Sequence, residues 1–161
     1  MTPRQCEIAA ESYAACLLSR VGYDVSVQYG AHQPHYDLVA EKAKRFLPIS
    51  VKGSQDGGWM LAVRYKNKDR SYHQAADAWL AAQRSDVIFL FVQFLGVLMG
   101  EAPRVYIARP NEIATHLKSQ RGGNGYGALE EGWAPRKRSK YKHKIPAKWV
   151  FSEKRVNELA P

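Results

Sequence analysis

One stretch in the first third of the chain constrains the fold more than any other part of the sequence. Two apolar runs, residues 36–40 and 46–51, flank a charged turn at residues 41–45. This pattern is typical of a β-hairpin. Each apolar run also carries or adjoins a charge that a hairpin does not require, Asp37 on the first strand and Lys52 on the second.

The two charges are predicted to lie on the same face of the hairpin. Strand side chains alternate between faces, so Asp37 shares a face with Val39. On the second strand, Lys52 shares a face with Ser50. If Val39 pairs with Ser50, then Asp37 lies directly opposite Lys52. Charges among apolar neighbours are costly unless paired or used, so the two form either a structural ion pair or part of a reactive site.

The length and charge of the chain predict one domain with a polyanion-binding segment. At 161 residues, with 45% hydrophobic and 24% charged residues, we expect a single folded domain over residues 1–161. The net charge of +9 is concentrated in residues 136–148, which contain seven Lys or Arg and no acid. Nucleic acid is the usual partner of such a segment. A solvated basic loop and a membrane-surface contact are the alternatives.

Cysteine usage and hydropathy predict a cytoplasmic protein. Cys6 and Cys16 lie ten residues apart on one predicted helix. This spacing separates them by roughly 15 Å, too far for a disulfide. The N-terminus has no apolar signal region, and the longest apolar run, residues 87–99, is shorter than the roughly 20 residues that span a bilayer. We therefore expect a reducing compartment, no membrane segment, and a buried strand in that run.

The first predicted helix, residues 3–21, places a carboxylate beside the core. Thr2 is a suitable N-cap, and Gly22 ends the helix. The apolar stripe at helical spacing contains Ile8, Ala15 and Leu18. Glu11 lies on that stripe and so needs a partner. Glu7, one turn earlier, is a second candidate; the alternative for both is a glutamate whose carboxylate reaches water.

The remaining pattern predicts alternating strands and helices. Further strands are expected at residues 23–29, 59–65, 86–94 and 104–108, with helices at residues 71–83 and 110–120 and a closing helix within residues 149–159. Residues 66–70 form a charged turn. The glycine-rich residues 122–127 follow a helix rather than a strand, so we expect a loop and no dinucleotide site. The predicted class is α/β, with a mixed central sheet flanked by helices.

The predicted site contains the residue types that phosphodiester hydrolysis needs. Carboxylates hold Mg²⁺, which polarises the phosphate and acidifies the attacking water. A neighbouring lysine orients that water or offsets developing charge. Glu11, Asp37 and Lys52 supply these groups from the first helix and two adjacent strands.

In these features the chain resembles the PD-(D/E)XK nuclease superfamily, in particular small Holliday-junction resolvases and intron-associated endonucleases. The resemblance covers about residues 4–95 and consists of Glu11 before Gly22, the acidic strand 36–38 and the signature strand 49–52. It implies a restriction-endonuclease-like αβββαβ core. It further implies that Glu11, Asp37 and the Val51 carbonyl bind Mg²⁺ or Mn²⁺, with Lys52 as the catalytic lysine. Because resolvase-like relatives often act as dimers, it also suggests a homodimer.

One position departs from the family pattern. The superfamily normally has Glu, Asp or sometimes Gln where this chain has Ser50. A serine hydroxyl is neutral and short, so the expected metal site has one charged ligand fewer. Mg²⁺ can be held by one or two carboxylates with several waters. Asp56 is a candidate for a displaced carboxylate, although an aspartate before two glycines is typical of a turn.

Three functions follow as hypotheses. The first is a metal-dependent nuclease acting on nucleic acid, with DNA as the expected substrate. The second is a nucleic-acid-binding module without catalysis. The third is a protein-interaction partner in a mobile-element or defence system. In the first two, the nucleic-acid backbone would contact Arg136, Lys137, Arg138, Lys140, Lys142 and Lys144, and Trp133, Tyr141 and Trp149 would offer stacking surfaces.

Overall fold

A computed structural model describes residues 1–28, 35–131 and 144–160 of the chain. Its α-helices are α1 (Pro3–Arg20), α2 (Tyr72–Ala81), α3 (Pro110–Ser119) and α4 (Glu153–Leu159). Its strands are β1 (Asp24–Val27), β2 (Leu38–Lys42), β3 (Arg45–Ser54), β4 (Gly58–Met60), β5 (Ile88–Gln93), β6 (Arg104–Ala108) and β7 (Ala128–Glu130).

The central sheet has five strands in the order β1-β2-β3-β5-β6. β3 and β5 run parallel, and the other neighbouring pairs are antiparallel. β4 and β7 form a separate antiparallel pair. The predicted α/β class and the αβββαβ order are therefore confirmed, with β4 inserted between β3 and α2.

Helices cover both faces of the sheet. One core contains the α1 stripe together with Ile49 and Val51 of β3, and α4 closes it through Val156 and Leu159. The other core lies between the sheet and helices α2 and α3, and its largest side chains are Trp59, Phe89, Phe91, Trp79 and Trp149. All six residues of β5 are buried, as a central strand covered on both faces requires.

The β2–β3 hairpin has a register two residues away from the predicted one. Leu38 pairs with Ile49, which brings Asp37 level with Ser50 rather than with Lys52. The turn sets this register, because Ala43 and Lys44 form a two-residue loop and both have positive φ, 53° and 63°. A shift of two residues preserves the faces of a strand, so Asp37 and Lys52 still share one face, as diagonal neighbours.

The buried stripe of α1 also differs from the predicted one. Its buried residues are Cys6, Ala10, Ala14 and Leu18, at a strict four-residue spacing. Ile8 is 47% exposed. Glu11 is half-buried at the border of the stripe. Apart from Leu18, which was predicted, the stripe is formed by small side chains, because α1 packs closely against β3 at Cys6 and Ala10.

Gly53 is the residue of β3 that permits this close approach. A Cβ at this position would lie 2.8 Å from the Cys6 carbonyl oxygen and 2.9 Å from the Ala10 Cβ. The nearest of these atoms belongs to the helix backbone, so the contact cannot relax by moving a flexible side chain. Gly53 therefore sets the distance between α1 and the strand that carries Val51 and Lys52.

The predicted strand at residues 59–65 is only partly correct. β4 ends at Met60, and a 3₁₀ turn follows at Val63–Tyr65. The amides of Leu61 and Ala62 both donate to the Gly127 carbonyl, at 3.2 and 2.8 Å, which ends the strand pairing and turns the chain. In the described ranges, no helix is long and apolar enough to cross a bilayer.

Replacing Gly53 by alanine tests the close packing of α1 on β3. We expect Gly53→Ala to lower the free energy of unfolding by about 1–3 kcal/mol, because the added methyl group overpacks the interface. Gly58→Ala is the matched control, since a Cβ there meets its nearest atom at 3.4 Å, an ordinary contact distance. Urea unfolding of both variants measures the difference. Equal stability of the two variants would contradict this packing account.

Candidate active site

The carboxylate of Asp37 lies immediately before β2 and is held by the backbone of β3. The Val51 N–H donates to Asp37 Oδ2 at 2.6 Å, and the Ser50 hydroxyl donates to the same oxygen at 3.2 Å. The Asp37 side chain is only 15% exposed. Within the described ranges, no hydrogen bond reaches its other oxygen, Oδ1. One carboxylate oxygen is therefore fixed while the second remains available to a ligand.

Lys52 places its ammonium beside the same carboxylate. Its Nζ lies 3.8 Å from Asp37 Oδ2, too far for a hydrogen bond, and the side chain is 43% exposed. The ammonium is therefore attracted to Asp37 while its N–H donors can still reach a substrate.

Trp59 fixes the backbone at Lys52, a role that the sequence pattern did not indicate. The indole Nε1–H donates to the Lys52 carbonyl oxygen at 2.8 Å. The indole ring is buried and packs edge-on against Phe91 at 5.2 Å between centroids. Because Trp59 belongs to β4, an apolar anchor on a separate strand holds the end of β3. An isolated tryptophan after a glycine turn carries no sequence signal for this contact.

Glu11 faces this site from α1. Burial raises the pKa of the Glu11 carboxyl, and the negative charges of Asp37 and Glu7 raise it further, while Arg4 and Lys52 act in the opposite direction. The carboxylates of Glu11 and Asp37 are therefore close enough to repel each other. In the part of the chain that the structure describes, no group of three or more Asp, Glu, His or Cys side chains gathers as a metal-binding cluster.

A cleft of about 410 Å³ opens beside these residues. Its walls are the start of α1, the end of β3, and β4 with the residue that follows, including Arg4, Glu7, Val51, Lys52, Trp59 and Leu61. Glu7, the second candidate on the first helix, lies in this wall and forms an exposed ion pair with Arg4 at 2.8 Å. Glu7 is therefore already engaged at the rim, whereas Glu11 is half-buried on α1.

Asp56 has the role of a turn residue. Its Oδ1 accepts hydrogen bonds from the Ser54 hydroxyl at 2.9 Å and from the Gly58 N–H at 3.3 Å. Gln93, which is fully buried, donates to the Ser54 hydroxyl oxygen at 3.2 Å. These contacts close the turn after β3 and use the Asp56 carboxylate within it.

Most of the predicted basic segment lies outside the described residues. This applies to Arg136, Lys137, Arg138, Lys140 and Lys142, and to the aromatic residues Trp133 and Tyr141, whereas Lys144 is described and exposed. The prediction for Trp149 is wrong, because its ring is 1% exposed and packs against His116, so no base can stack on it.

Glu131, the last described residue before the gap at residues 132–143, lies close to the cleft. The Glu131 N–H donates to the Gly57 carbonyl at 2.9 Å. Arg104 binds the Glu131 carboxylate through two hydrogen bonds of 2.7 Å, and the Tyr106 hydroxyl donates to it as well. Burial raises the pKa of Tyr106, and the contact with Glu131 adds to this shift. The Tyr106 hydroxyl therefore keeps its proton at neutral pH, and its hydrogen bond to Glu131 is maintained.

Comparison with known proteins gives structural matches only. No protein-family model matches the chain, and no curated protein sequence matches it. The chain is similar to the solved structure of a bacterial homing endonuclease, I-Ssp6803I, at 12% identity and a TM-score of 0.45, covering 87% of this chain and 84% of that one. It is also similar to Hjc, a Holliday junction resolvase from the archaeal hyperthermophile Archaeoglobus fulgidus, at 14% identity and a TM-score of 0.41, covering 77% and 88%. At these identities the likeness concerns the fold alone.

Proposed function

We propose that this protein is a metal-dependent nuclease that hydrolyses phosphodiester bonds of DNA. The observation that carries the proposal is the arrangement around Asp37, whose carboxylate is fixed by the Val51 amide and lies 3.8 Å from the Lys52 ammonium. Lys52 lines a cleft open to solvent, and the Asp37 carboxylate lies beside it. A half-buried carboxylate and an exposed lysine at one strand end provide the ligand and the cation that phosphodiester hydrolysis needs.

The donor set suits a divalent cation. Glu11 and Asp37 repel each other, and a cation between them would relieve that repulsion. Magnesium prefers oxygen ligands and is commonly held by one or two carboxylates together with waters. The Val51 carbonyl is a third candidate ligand, because the N–H and C=O of one strand residue point to the same edge and its N–H points to Asp37. When bound, such an ion polarises a phosphodiester and acidifies water.

The chain itself provides positioning and positive charge. Lys52 attracts the scissile phosphate and orients water through its ammonium N–H groups. Trp59 holds the carbonyl of Lys52 at 2.8 Å and so limits movement at the end of β3. Asp37 keeps a single orientation because two donors fix one of its oxygens. These contacts exist before substrate binds, so little reorganisation is needed at the reacting bond.

Removing the two charged groups tests the proposal. We expect the protein to cleave duplex, branched or single-stranded DNA in Mg²⁺ or Mn²⁺ and to stop when EDTA is added. Asp37→Asn and Lys52→Ala should each lower the cleavage rate by on the order of 100-fold or more, because each removes a group that stabilises the transition state. Gel-based cleavage assays under single-turnover conditions measure these rates.

Matched controls separate catalysis from folding and charge. Asp24→Asn and Lys44→Ala change the same residue types at exposed positions on β1 and in the β2–β3 turn, and both should retain wild-type rates. Thermal unfolding confirms that each variant is folded. Absence of cleavage on every substrate, or full activity in Asp37→Asn, would rule out the proposed nuclease.

A second candidate function is a nucleic-acid-binding module without catalysis. Ser50 favours it, because this residue is buried and donates a hydrogen bond to Asp37 where the related enzymes normally carry an acidic side chain. The hydroxyl adds no charge to the cation site. Such a module would bind nucleic acid through salt-dependent phosphate contacts and would show no metal-dependent turnover.

Restoring an acidic residue distinguishes the two functions. In a binding module, Ser50→Glu should create Mg²⁺ binding that the wild type lacks, because a second carboxylate then faces Asp37. In a nuclease, the wild type already binds Mg²⁺ and loses that binding in Asp37→Asn. Isothermal titration of both variants and the wild type with Mg²⁺ measures the difference, with Ser26→Glu on exposed β1 as the control.

A further inference from the structure

A second group of cations lies on the loop between β4 and α2. Arg64, Lys66, Lys68 and Arg70 occur at alternate positions, and Asp69 is the only acid among them. In the described parts of the chain, none of these four cations forms an ion pair with a carboxylate. The undescribed ranges 29–34 and 132–143 contain no Asp or Glu, so they bring no acidic side chain to the loop.

Aromatic rings hold three cations at this place. Arg64 lies over the ring of Tyr65 at 5.0 Å, and Lys66 lies over Tyr72 at 5.5 Å. Arg121, from the turn after α3, stacks on Tyr126 at 3.7 Å and also lies 5.9 Å from Tyr72. We call these three cations and their rings the tyrosine–cation surface.

The two inner rings form one platform. Tyr72 and Tyr126 pack edge-on at 5.8 Å between centroids. The backbone of Arg121 has a φ of 53°, a left-handed conformation that is unusual for a residue with a side chain. The His73 ring also contacts the Gly123 carbonyl at 2.7 Å, which ties the start of α2 to this turn. These contacts therefore place the Arg121 guanidinium near the ring of Tyr72 on α2.

Holding a cation on a ring differs physically from pairing it with a carboxylate. Arg104 pairs with Glu131, so much of its charge is cancelled within the protein. A cation over an aromatic face keeps its full charge, and its outward N–H groups remain available to an anion. The ring also limits the side-chain motion that binding would otherwise have to restrict. Such cations are prepared for an external ligand with repeated negative charges.

This surface adjoins the cleft of the candidate active site. Leu61 lines the cleft, and Arg64 follows three residues later, at most about 10 Å along the chain. The Ala62 N–H bond to the Gly127 carbonyl at 2.8 Å fixes the segment between them. The surface and the cleft are therefore close enough for one polyanion to contact both.

We propose that the tyrosine–cation surface binds the phosphate backbone of a nucleic acid beside the cleft. Guanidinium groups suit this ligand because they donate paired hydrogen bonds to phosphate oxygens. The inference extends the proposed function by naming where the substrate backbone lies, and it rests on that function only for the identity of the polyanion.

Salt-dependent binding tests the proposal directly. Fluorescence anisotropy with a labelled 30-base-pair duplex, in EDTA so that no cleavage occurs, compares the wild type with the triple variant Arg64→Gln, Lys66→Gln, Arg121→Gln. We expect affinity to fall at least about tenfold near 0.1 M salt, and the slope of log K against log salt to fall by about one per removed phosphate contact.

A matched triple variant controls for net charge. Arg20→Gln, Lys44→Gln and Lys154→Gln remove three exposed cations from other parts of the surface. This variant should keep its affinity within about twofold and its salt slope unchanged. Equal losses in the two triple variants would show a delocalised charge effect and overturn the proposal, as would a wild type that does not bind the duplex.

Changing the ring tests positioning without changing charge. Tyr72→Phe keeps the aromatic face and should bind as the wild type does, whereas Tyr72→Leu should weaken binding about fivefold because Lys66 and Arg121 lose their platform. Thermal unfolding checks that both variants are folded. Equal duplex affinities of Tyr72→Phe and Tyr72→Leu would contradict the proposal that the rings position the cations.

Cleavage by the wild type in Mg²⁺ is measured separately. If the wild type cleaves DNA and the Arg64→Gln, Lys66→Gln, Arg121→Gln variant binds the duplex as the wild type does, the proposed binding surface is wrong and the proposed nuclease activity stands. If that variant loses binding and the wild type does not cleave DNA, the binding surface stands and the proposed nuclease activity is wrong.

Discussion

The hydrogen bond from the Val51 amide to the Asp37 carboxylate is the interaction on which the site depends. β2 begins at Leu38, so no backbone carbonyl of β2 remains opposite Val51, and the side chain of Asp37 accepts this N–H instead. A buried amide without an acceptor would cost about 1–3 kcal/mol. Sheet formation therefore fixes the carboxylate at the strand end. Among the described residues, these hydrogen bonds use only one oxygen of Asp37, and the other is the proposed cation ligand.

The second constraint is the close packing of α1 on β3. Alanines in the stripe of α1 and the absent side chain of Gly53 allow helix and strand backbones to approach. This approach carries Glu11 to the edge of the core, where it and Asp37 repel each other. A bulkier interface would separate the two carboxylates and weaken their joint attraction for a cation. The fold and the proposed metal site thus depend on the same small residues.

The sequence predicted the class of fold and the local elements because hydrophobic periodicity, caps and turns are encoded over short distances. The N-cap predicted at Thr2 is confirmed, as is the common face of Asp37 and Lys52. The hairpin register was wrong because it depends on the backbone conformation at Ala43 and Lys44, which alternation does not specify. In the predicted stripe of α1, Leu18 is confirmed and Ile8 is wrong, because the buried positions before Leu18 are the small residues that close packing requires.

The tyrosine–cation surface could not be predicted, since it joins a loop to a turn about 50 residues away. In sequence, residues 66–70 indicate only a charged turn. Their arrangement depends on Tyr126 and Arg121, which approach through the packing of α2 and α3. Long-range contacts of this kind have no periodic pattern, so only the folded structure shows them. The roles of Trp59 and Gly53 were missed for the same reason.

The most direct measurement of the central claim is the anomalous scattering of Mn²⁺ in crystals of the protein. The account predicts a manganese peak between the carboxylates of Glu11 and Asp37, and its loss in Asp37→Asn crystals grown and soaked in the same way. Crystals that show no manganese at these two carboxylates, or that show Glu11 directed away from Asp37, would contradict the proposed metal-dependent site.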